Sequence, residues 1–334
     1  MVMPLLRTQR LSKVDKTMPH RCAVLDDYQN VALNFADWSA LKDIDVQIFH
    51  RPLGDVEAVA KALADYSIVC LMRERTPFPR ALIERLPNLK LLVTTGMRNA
   101  SIDMEAAKDH GVVVCGTDSA PHPTAELAVG LMIDLARKIS LENARMKAGE
   151  IWQQTIGTDL QGKTLGIIGL GRLGSRVAKV GLAFGMNVIA WSQNLTAEKC
   201  REAGVGHATK EELLRQSDFI SIHLVLSPRS RGLIGAPELA QMKPTAYLIN
   251  TSRGPIVDEM ALVAALKTRA IGGAALDVYD IEPLPRDHPL RKLPNAITTP
   301  HLGYVTESGY RIFYAQTVEA VRAFLDGKPV RVIS

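Results

Sequence analysis

Three polar side chains near the carboxyl end of the chain could share an anion-binding and acid–base site. Arg253, Glu282 and His301 each follow an apolar run of strand-like composition. Arginine grips a carboxylate through two parallel hydrogen bonds, histidine can donate a proton near neutral pH, and a neighbouring carboxylate favours the imidazolium that donates it. A single such residue in a loop is usually a solvated surface residue. Three of them, each after a strand where open parallel sheets place their ligands, favour one shared site.

A glycine-rich turn indicates that this site works with a dinucleotide. Gly169, Gly171 and Gly174 have the spacing Gly-x-Gly-x-x-Gly, with an apolar strand pattern before them and a helical pattern at 175–184 after them. Glycines allow a tight turn and close approach of the backbone to a pyrophosphate, and the following helix offers free amides to it. The strand–turn–helix context makes the motif much more specific than the glycines alone.

The choice between NAD and NADP stays open at this point. An acidic residue about 20 positions after the glycines normally binds the ribose hydroxyls of NAD, but the second strand ends in Trp191 and Ser192. Ser192 cannot repel a 2′-phosphate, and no Arg or Lys stands in its place. Lys199 and Arg201, the nearest cations in sequence, lie in the next predicted helix, where they are solvated or reach the phosphate. We expect activity with both cofactors and a preference for NADPH if one exists.

Short apolar runs that alternate with helical patterns must position these residues. The predicted fold class is α/β, with two doubly wound parallel-sheet domains: a flavodoxin-like substrate domain and a Rossmann dinucleotide-binding domain. The first set of predicted strands is 22–26, 45–49, 67–71, 90–93 and 112–115. The second set is 164–168, 187–191, 219–223, 246–250, 272–278 and 296–299.

The domain boundaries follow from these two sets. Residues 1–20 are predicted to be a disordered leader, 21–118 plus 302–334 the substrate domain, and 119–301 the dinucleotide-binding domain. The apolar spacing over 123–148 predicts one long helix between the two sheets. Thr124 is the expected N-cap of that helix.

Composition narrows the class of protein. The net charge of +5 includes +3 from the first 20 residues, so the rest of the chain gives no reason to expect nucleic acid as a partner. No run approaches the ~20 apolar residues of a membrane helix. The four cysteines are far apart in sequence, which favours a reducing cytoplasm. No His, Cys or carboxylate cluster has metal-ligand spacing, so no metal is expected.

From about Arg21 to Val332, the chain resembles the D-isomer-specific 2-hydroxy acid dehydrogenases. The segments that carry this resemblance are 165–174, 223–224, 231–235, 250–258, 274–283 and 300–303. The resemblance implies that Arg253 binds the substrate carboxylate and carbonyl, that His301 is the general acid/base, and that Glu282 orients His301. It also implies a homodimer.

The resemblance further implies two sets of binding residues. The cofactor set is Gly169, Gly171, Arg172, Leu173, Gly174, Ser192, His223, Leu224, Thr251, Asp277 and Gly303. The substrate set is Arg73, where the family often has a polar residue facing the cleft, together with Gly96 and Met97, which belong to a loop (95–99) whose backbone amides are expected to hold a carboxylate. The chain departs from the family pattern at Ser192, where an acidic residue is usual, and at Val225, where proline is frequent.

The resulting hypothesis is hydride transfer between NAD(P)H and a small 2-keto acid, similar to glyoxylate or hydroxypyruvate, to give a D-2-hydroxy acid. Glu282 argues against the related formate dehydrogenases, which have glutamine there. Because the sequence ends at Ser334, we expect no regulatory domain of the kind found in many phosphoglycerate dehydrogenases. A D-3-phosphoglycerate dehydrogenase without that domain, and a dinucleotide-sensing corepressor that binds without turnover, remain alternatives.

Overall fold

The chain forms two compact units in a computed structural model, which describes residues 9–10, 20–42 and 44–333. Unit 1 comprises the described residues of Met1–Ala120 and Thr306–Ser334, and unit 2 comprises Pro121–Val305. No helix within the described ranges has both the length and the apolar content that a bilayer crossing needs.

The secondary structure alternates between strands and helices. The strands are β1 (Gln9–Arg10), β2 (Arg21–Val24), β3 (Asp45–Ile48), β4 (Ile68–Leu71), β5 (Leu91–Thr94), β6 (Val113–Cys115), β7 (Thr164–Ile168), β8 (Asn187–Trp191), β9 (Gly206–His207), β10 (Phe219–Ile222), β11 (Tyr247–Asn250), β12 (Gly273–Leu276) and β13 (Ala296–Thr298). The helices are α1 (Ala32–Phe35), α2 (Val56–Leu63), α3 (Arg80–Ile83), α4 (Met104–Asp109), α5 (Pro123–Arg137), α6 (Ile139–Lys147), α7 (Gly174–Ala183), α8 (Ala197–Glu202), α9 (Lys210–Gln216), α10 (Ala236–Leu239), α11 (Glu259–Lys267) and α12 (Glu307–Leu325). Short 3-10 turns occur at Trp38–Leu41, Gly254–Ile256 and Pro289–Arg291.

The sheet of unit 1 has the order β1-β3-β2-β4-β5-β6. Its five strands β2 to β6 pair in parallel, in the order typical of flavodoxin-like sheets. Strand β1 pairs antiparallel with β3 at the edge. The prediction of a disordered leader is therefore wrong for Gln9–Arg10. Pairing at the edge of a sheet needs no apolar sequence pattern, so this strand has no signal in the sequence. The rest of that prediction falls almost entirely outside the described residues.

The sheet of unit 2 has the order β13-β12-β11-β10-β7-β8-β9, with every pairing parallel. Apart from the additional strand at one edge, this is the doubly wound dinucleotide-binding order, and it confirms the predicted fold class. Strands β10 and β11 are buried along their whole length or nearly so, with apolar clusters on both faces. That burial explains why their sequences are continuous apolar runs.

Two predictions about elements of unit 2 are wrong. The sheet has seven strands instead of six, because the two exposed residues of β9 pair with β8 without any apolar signal. The helix predicted over 123–148 is broken at Lys138, whose φ of 58° places it in the left-handed region. The Asp134 carboxylate stabilises the break by accepting hydrogen bonds from the backbone N–H and hydroxyl of Ser140.

Candidate active site

The three residues of the predicted acid–base site follow three neighbouring strands. Arg253 lies after β11, Glu282 after β12 and His301 after β13, and these strands are adjacent and parallel in the sheet of unit 2. Their carboxyl ends therefore meet at one edge, as the sequence predicted.

Glu282 and His301 form a direct hydrogen-bonded pair. The distance between His301 Nδ1 and Glu282 Oε2 is 2.5 Å, and the other carboxylate oxygen, Oε1, accepts a hydrogen bond from the Tyr279 backbone N–H at 2.9 Å. The two side chains remain 22% and 33% exposed, so a solute can reach the ring. Because Nδ1 faces the carboxylate, Nε2 is the ring nitrogen left to exchange a proton with that solute.

A buried carboxylate holds the loop that carries His301. Asp277 is fully buried and accepts hydrogen bonds from Thr299 Oγ1 at 2.6 Å, Leu302 N at 2.7 Å and Gly303 N at 2.8 Å. Burial raises the pKa of Asp277, while these three donors oppose that rise. His301 has a φ of 54°, which a non-glycine residue keeps only where its surroundings hold it. The expected contact of Asp277 with the cofactor stays a prediction.

The same loop is fixed from helix α5. Thr124 Oγ1 donates a hydrogen bond to the Gly303 carbonyl at 2.8 Å. The prediction that Thr124 is an N-cap is wrong: α5 begins at Pro123 after His122, and His122 makes no side-chain cap. The hydroxyl of Thr124 instead holds the loop that carries His301.

Arg253 is supported by a turn of polar side chains. Asn250 donates from Nδ2 to the Arg253 carbonyl at 2.9 Å and accepts from the Ser252 backbone N–H at 3.0 Å. A Cβ added to Gly254 would lie 2.1 Å from the Tyr279 carbonyl carbon. Only glycine therefore lets the Arg253 turn lie against the segment that binds Glu282.

The glycine-rich turn lies between β7 and α7, as predicted. Gly169 has a φ of 101°, and a Cβ on it would lie 2.7 Å from the His223 carbonyl oxygen. A Cβ on Gly174 would lie 2.0 Å from the Gly169 carbonyl oxygen. Gly171 faces open space, and Arg172 beside it is exposed. This turn and the amides at the start of α7 leave room for a phosphate group.

Two buried polar atoms at the same sheet edge lack partners among the described residues. They are His223 Nδ1, after β10, and Thr251 Oγ1, after β11. His223 Nε2 lies 2.8 Å from the Ser221 hydroxyl. Burial lowers the pKa of His223 to about 4, so the ring is neutral at physiological pH. Unsatisfied buried polar atoms are costly, and a bound cofactor with polar groups would satisfy both, so these residues fit a dinucleotide.

A cavity of about 300 Å³ lies beyond the end of β8. Ser192 and Leu224, both predicted to bind the cofactor, belong to its lining. The full lining is Trp191, Ser192, Gln193, Asn194, Leu224, Val225, Ser227, Arg229, Ser230 and Leu233.

Arg229 is the residue of this cavity that sequence reasoning missed. It lies in the loop after β10, far along the chain from Ser192, so a search for cations close in sequence to Ser192 does not find it. The available signal was strand order: β10 and β8 both pair with β7, so the loops that follow them lie over one edge of the sheet. Lys199 and Arg201, the nearest cations in sequence, do not belong to this lining.

The three predicted substrate-binding residues lie together in unit 1. Arg73 donates from Nη1 to the Thr95 carbonyl at 2.9 Å, and a Cβ on Gly96 would lie 2.0 Å from that Nη1. Met97 is 44% exposed. The Gly96 amide already donates to Thr117 Oγ1 at 2.8 Å, so in this structure it is not free to hold a substrate carboxylate.

The described residues contain no group of three or more His, Cys, Asp or Glu side chains arranged to hold a metal ion.

Comparison with known proteins places this chain in a family. Residues 129–303 match the model described as D-isomer specific 2-hydroxyacid dehydrogenase, NAD binding domain. A glyoxylate reductase of Aeropyrum pernix is 36% identical over 86% of this chain and 88% of its own length. The crystal structure of a phosphoglycerate oxidoreductase from Vibrio cholerae is 36% identical, with a TM-score of 0.88 over 92% of this chain and 99% of that one.

A D-3-phosphoglycerate dehydrogenase of Methanocaldococcus jannaschii is 39% identical over 78% of this chain. The match covers only 50% of that protein, so the chain spans about half the length of this relative.

Proposed function

Because the chain belongs to the D-isomer specific 2-hydroxyacid dehydrogenase family, we propose that it reduces a small 2-keto acid to the D-2-hydroxy acid. The observation that carries this proposal is the 2.5 Å hydrogen bond between Glu282 and His301, which follow β12 and β13. The neighbouring strand in the sheet of unit 2, β11, precedes Arg253. The proposed substrates are short and similar to glyoxylate or hydroxypyruvate.

His301 is the proposed proton donor. With Nδ1–H held by Glu282, the protonated ring presents Nε2–H to the substrate carbonyl oxygen. As the keto carbon accepts the hydride, the carbonyl electron pair moves to the oxygen, which takes the proton from Nε2. In the reverse direction the neutral ring accepts the hydroxyl proton at the same nitrogen. Glu282 stabilises the charged ring, and Asp277 keeps it in place through the loop.

Arg253 is the proposed anchor for the substrate carboxylate. Its guanidinium can form two parallel hydrogen bonds to a carboxylate. The same charge polarises the adjacent carbonyl and stabilises the negative charge that develops on its oxygen. The Asn250 and Ser252 hydrogen bonds fix the backbone from which this side chain extends.

A bound nicotinamide dinucleotide would supply the hydride. The glycine-rich turn and the amides at the start of α7 would hold its pyrophosphate. His223 and Thr251, with their unpartnered polar atoms, would bind polar groups nearer the reacting end. Ser192 and the cavity beyond β8 would receive the adenosine end.

The proposal is tested by a panel of keto acids with NADH and NADPH in parallel, followed by the absorbance of the reduced nicotinamide. Glyoxylate, hydroxypyruvate, pyruvate and phosphohydroxypyruvate cover the relevant sizes and charges. We expect turnover on at least one short 2-keto acid. Binding of the reduced cofactor with no turnover on any keto acid contradicts the proposal and favours the corepressor alternative.

Phosphohydroxypyruvate is the second candidate substrate. The M. jannaschii and V. cholerae relatives are named for phosphoglycerate, and the latter has nearly the same length as the matched part of this chain. If phosphohydroxypyruvate has the highest kcat/KM of the panel, this second candidate replaces the first.

We also propose that the protein forms a homodimer through residues 139–156. Helix α6 has no buried residue, and Ile151, Trp152 and Ile156 after it are 91%, 70% and 96% exposed. Monomers rarely expose apolar patches of this kind, and two-fold dimers are the commonest oligomers. Light scattering should give a dimer mass, and the double variant Trp152→Ser/Ile156→Ser should shift it toward the monomer. The exposed Met260→Ser is the control, and a monomeric wild type contradicts this proposal.

A further inference from the structure

We infer that the cavity beyond β8 is a binding site for the 2′-phosphate of NADPH, with Arg229 as the cation that recognises it. The inference rests on the proposed function in one respect, which is that a nicotinamide dinucleotide is the cofactor. It goes beyond that function by naming the preferred cofactor and the residue that selects it.

The cavity and the glycine-rich turn follow two adjacent strands, β8 and β7. Strands β7 and β8 are adjacent, with Ile168 paired to Trp191, and the Gly169 amide donates to the Trp191 carbonyl at 2.8 Å. The chain that leaves β8 at Ser192 therefore starts on the same side of the sheet as the glycine-rich turn. On the other side of β7, the His223 amide donates to the Ile168 carbonyl at 2.8 Å. The strand order reverses between β7 and β10, which is where doubly wound sheets bind dinucleotides.

The lining combines the two surfaces that an adenosine phosphate needs. Leu224, Val225 and Leu233 supply apolar contact area for a purine. Ser192 and Asn194 supply neutral hydrogen-bonding groups. Among the described residues that line the cavity, none carries a carboxylate, and Arg229 is the one cation.

The guanidinium of Arg229 is uncommitted. It forms no hydrogen bond or ion pair with any residue that the structure describes. In contrast, Arg21, Arg80 and Arg85 all pair with carboxylates. An unpaired guanidinium beside a cavity can bind a phosphate with a planar, two-pronged set of hydrogen bonds and without breaking an existing ion pair.

The loop of Arg229 is held by a buried hydroxyl. Ser230 is 6% exposed, and its Oγ donates to the Val225 carbonyl at 2.8 Å and accepts from the Ser227 backbone N–H at 2.8 Å. The Arg229 carbonyl also accepts from Nε2 of Gln193, which follows β8, at 3.4 Å. These bonds fix the backbone of residue 229 next to Ser192, so binding does not require the loop to be ordered first.

Charge decides between the two cofactors here. An NAD-selective site places a carboxylate on the ribose hydroxyls, which repels a 2′-phosphate, and an arginine nearby accommodates that phosphate instead. In this chain Ser192 stands where the carboxylate is usual, and Arg229 belongs to the same cavity lining. Lys199 and Arg201 are exposed on α8 and do not belong to the cavity lining. The selecting cation is therefore Arg229.

Binding of fragments tests the site without any turnover. Isothermal titration at low salt, where an exposed charge is least screened, compares adenosine 2′,5′-bisphosphate with adenosine 5′-monophosphate in wild type, Arg229→Gln and the matched control Arg201→Gln. The wild type should bind the bisphosphate more tightly. In Arg229→Gln this affinity should fall at least tenfold, about 1.4 kcal/mol, while the monophosphate affinity stays within twofold. Arg201→Gln should match wild type for both.

Kinetics on the best keto acid should follow the binding data, with a similar fall in kcat/KM for NADPH and none for NADH in Arg229→Gln. Equal effects in Arg229→Gln and Arg201→Gln, or a change below twofold for the bisphosphate in Arg229→Gln, overturn the inference. A wild type that binds the bisphosphate tightly but reduces no keto acid contradicts the proposed reaction and leaves the phosphate site standing.

Discussion

In unit 2, the carboxyl ends of the strands carry two different kinds of site, one at β11–β13, the chemical end, and one at β8, the ribose end. At the β11–β13 end, Glu282, His301 and the loop above buried Asp277 are joined to one another by hydrogen bonds. At the β8 end, the guanidinium of Arg229 has no partner among the described residues, and Arg229 and Ser192 line the same cavity. The first arrangement keeps chemical groups in place before substrate arrives, whereas the second presents groups that a ligand must complete. Variants at the β11–β13 end should therefore lower turnover, whereas variants at the β8 end should change the preference between NADH and NADPH.

The largest effect is expected from His301→Ala at the chemical end. Loss of general acid catalysis should lower kcat about 100- to 10,000-fold, while the dissociation constant of the reduced cofactor stays within twofold. Steady-state assays on the best keto acid and fluorescence titration of the cofactor measure the two quantities. The control is His207→Ala, which removes an exposed histidine from β9. Turnover within threefold of wild type shows that His301 is not the acid.

Arg253→Lys should be the next most severe change, although it preserves the charge. An ammonium group cannot reproduce the planar fork of arginine, and a lost charge-assisted hydrogen bond costs about 1.5–3 kcal/mol. We expect kcat/KM to fall about 10- to 100-fold, with a raised KM for the keto acid and a lowered kcat. Arg215→Lys, on the exposed surface of α9, serves as the control. Unchanged kinetics in Arg253→Lys remove Arg253 from the substrate site.

At the ribose end, Ser192→Asp should change the preference between NADH and NADPH and leave the chemical step unchanged. The new carboxylate would bind ribose hydroxyls and repel a 2′-phosphate. The ratio of kcat/KM for NADH to that for NADPH should rise at least tenfold, about 1.4 kcal/mol. Ser192→Asn, which stays neutral, should leave the ratio near that of wild type. Strong NADH selectivity in the wild type that Ser192→Asp does not alter would mean that the ribose lies elsewhere.

His223 follows β10, which lies between the two ends in the sheet. Replacing it should affect the stability of the fold, and this is the smallest of the expected effects. Burial lowers its pKa to about 4, whereas in the unfolded chain a histidine has a pKa of about 6.5. Between these values the unfolded chain binds the extra proton, so the contribution to stability is complete above the unfolded pKa and is lost as the pH falls toward 4. His223→Asn should flatten the dependence of Tm on pH in this window by a few degrees. The exposed His207→Asn should not, and an unchanged slope in His223→Asn contradicts the buried, neutral state of the ring.

The sequence predicted the chemical end better than the ribose end for a physical reason. Arg253, Glu282 and His301 each come a few residues after a strand of their own, and β11 and β12 are buried while β13 is half-buried. Apolar runs and local spacing were therefore sufficient to find them. Arg229 reaches the cavity only because β10 and β8 flank β7, a relation that no local pattern encodes. In the same way, β9 consists of two exposed residues, and one left-handed residue, Lys138, divides a continuous helical pattern.

Transfer of a labelled hydride tests the central claim most directly. The protein is incubated with reduced cofactor deuterated at the transferred position and with the best keto acid of the panel, and the product is analysed by mass spectrometry and chiral chromatography. The account predicts one deuterium on the carbon that bears the new hydroxyl, a product of D configuration, and loss of labelled product in His301→Ala. An unlabelled product, or an L product, contradicts it.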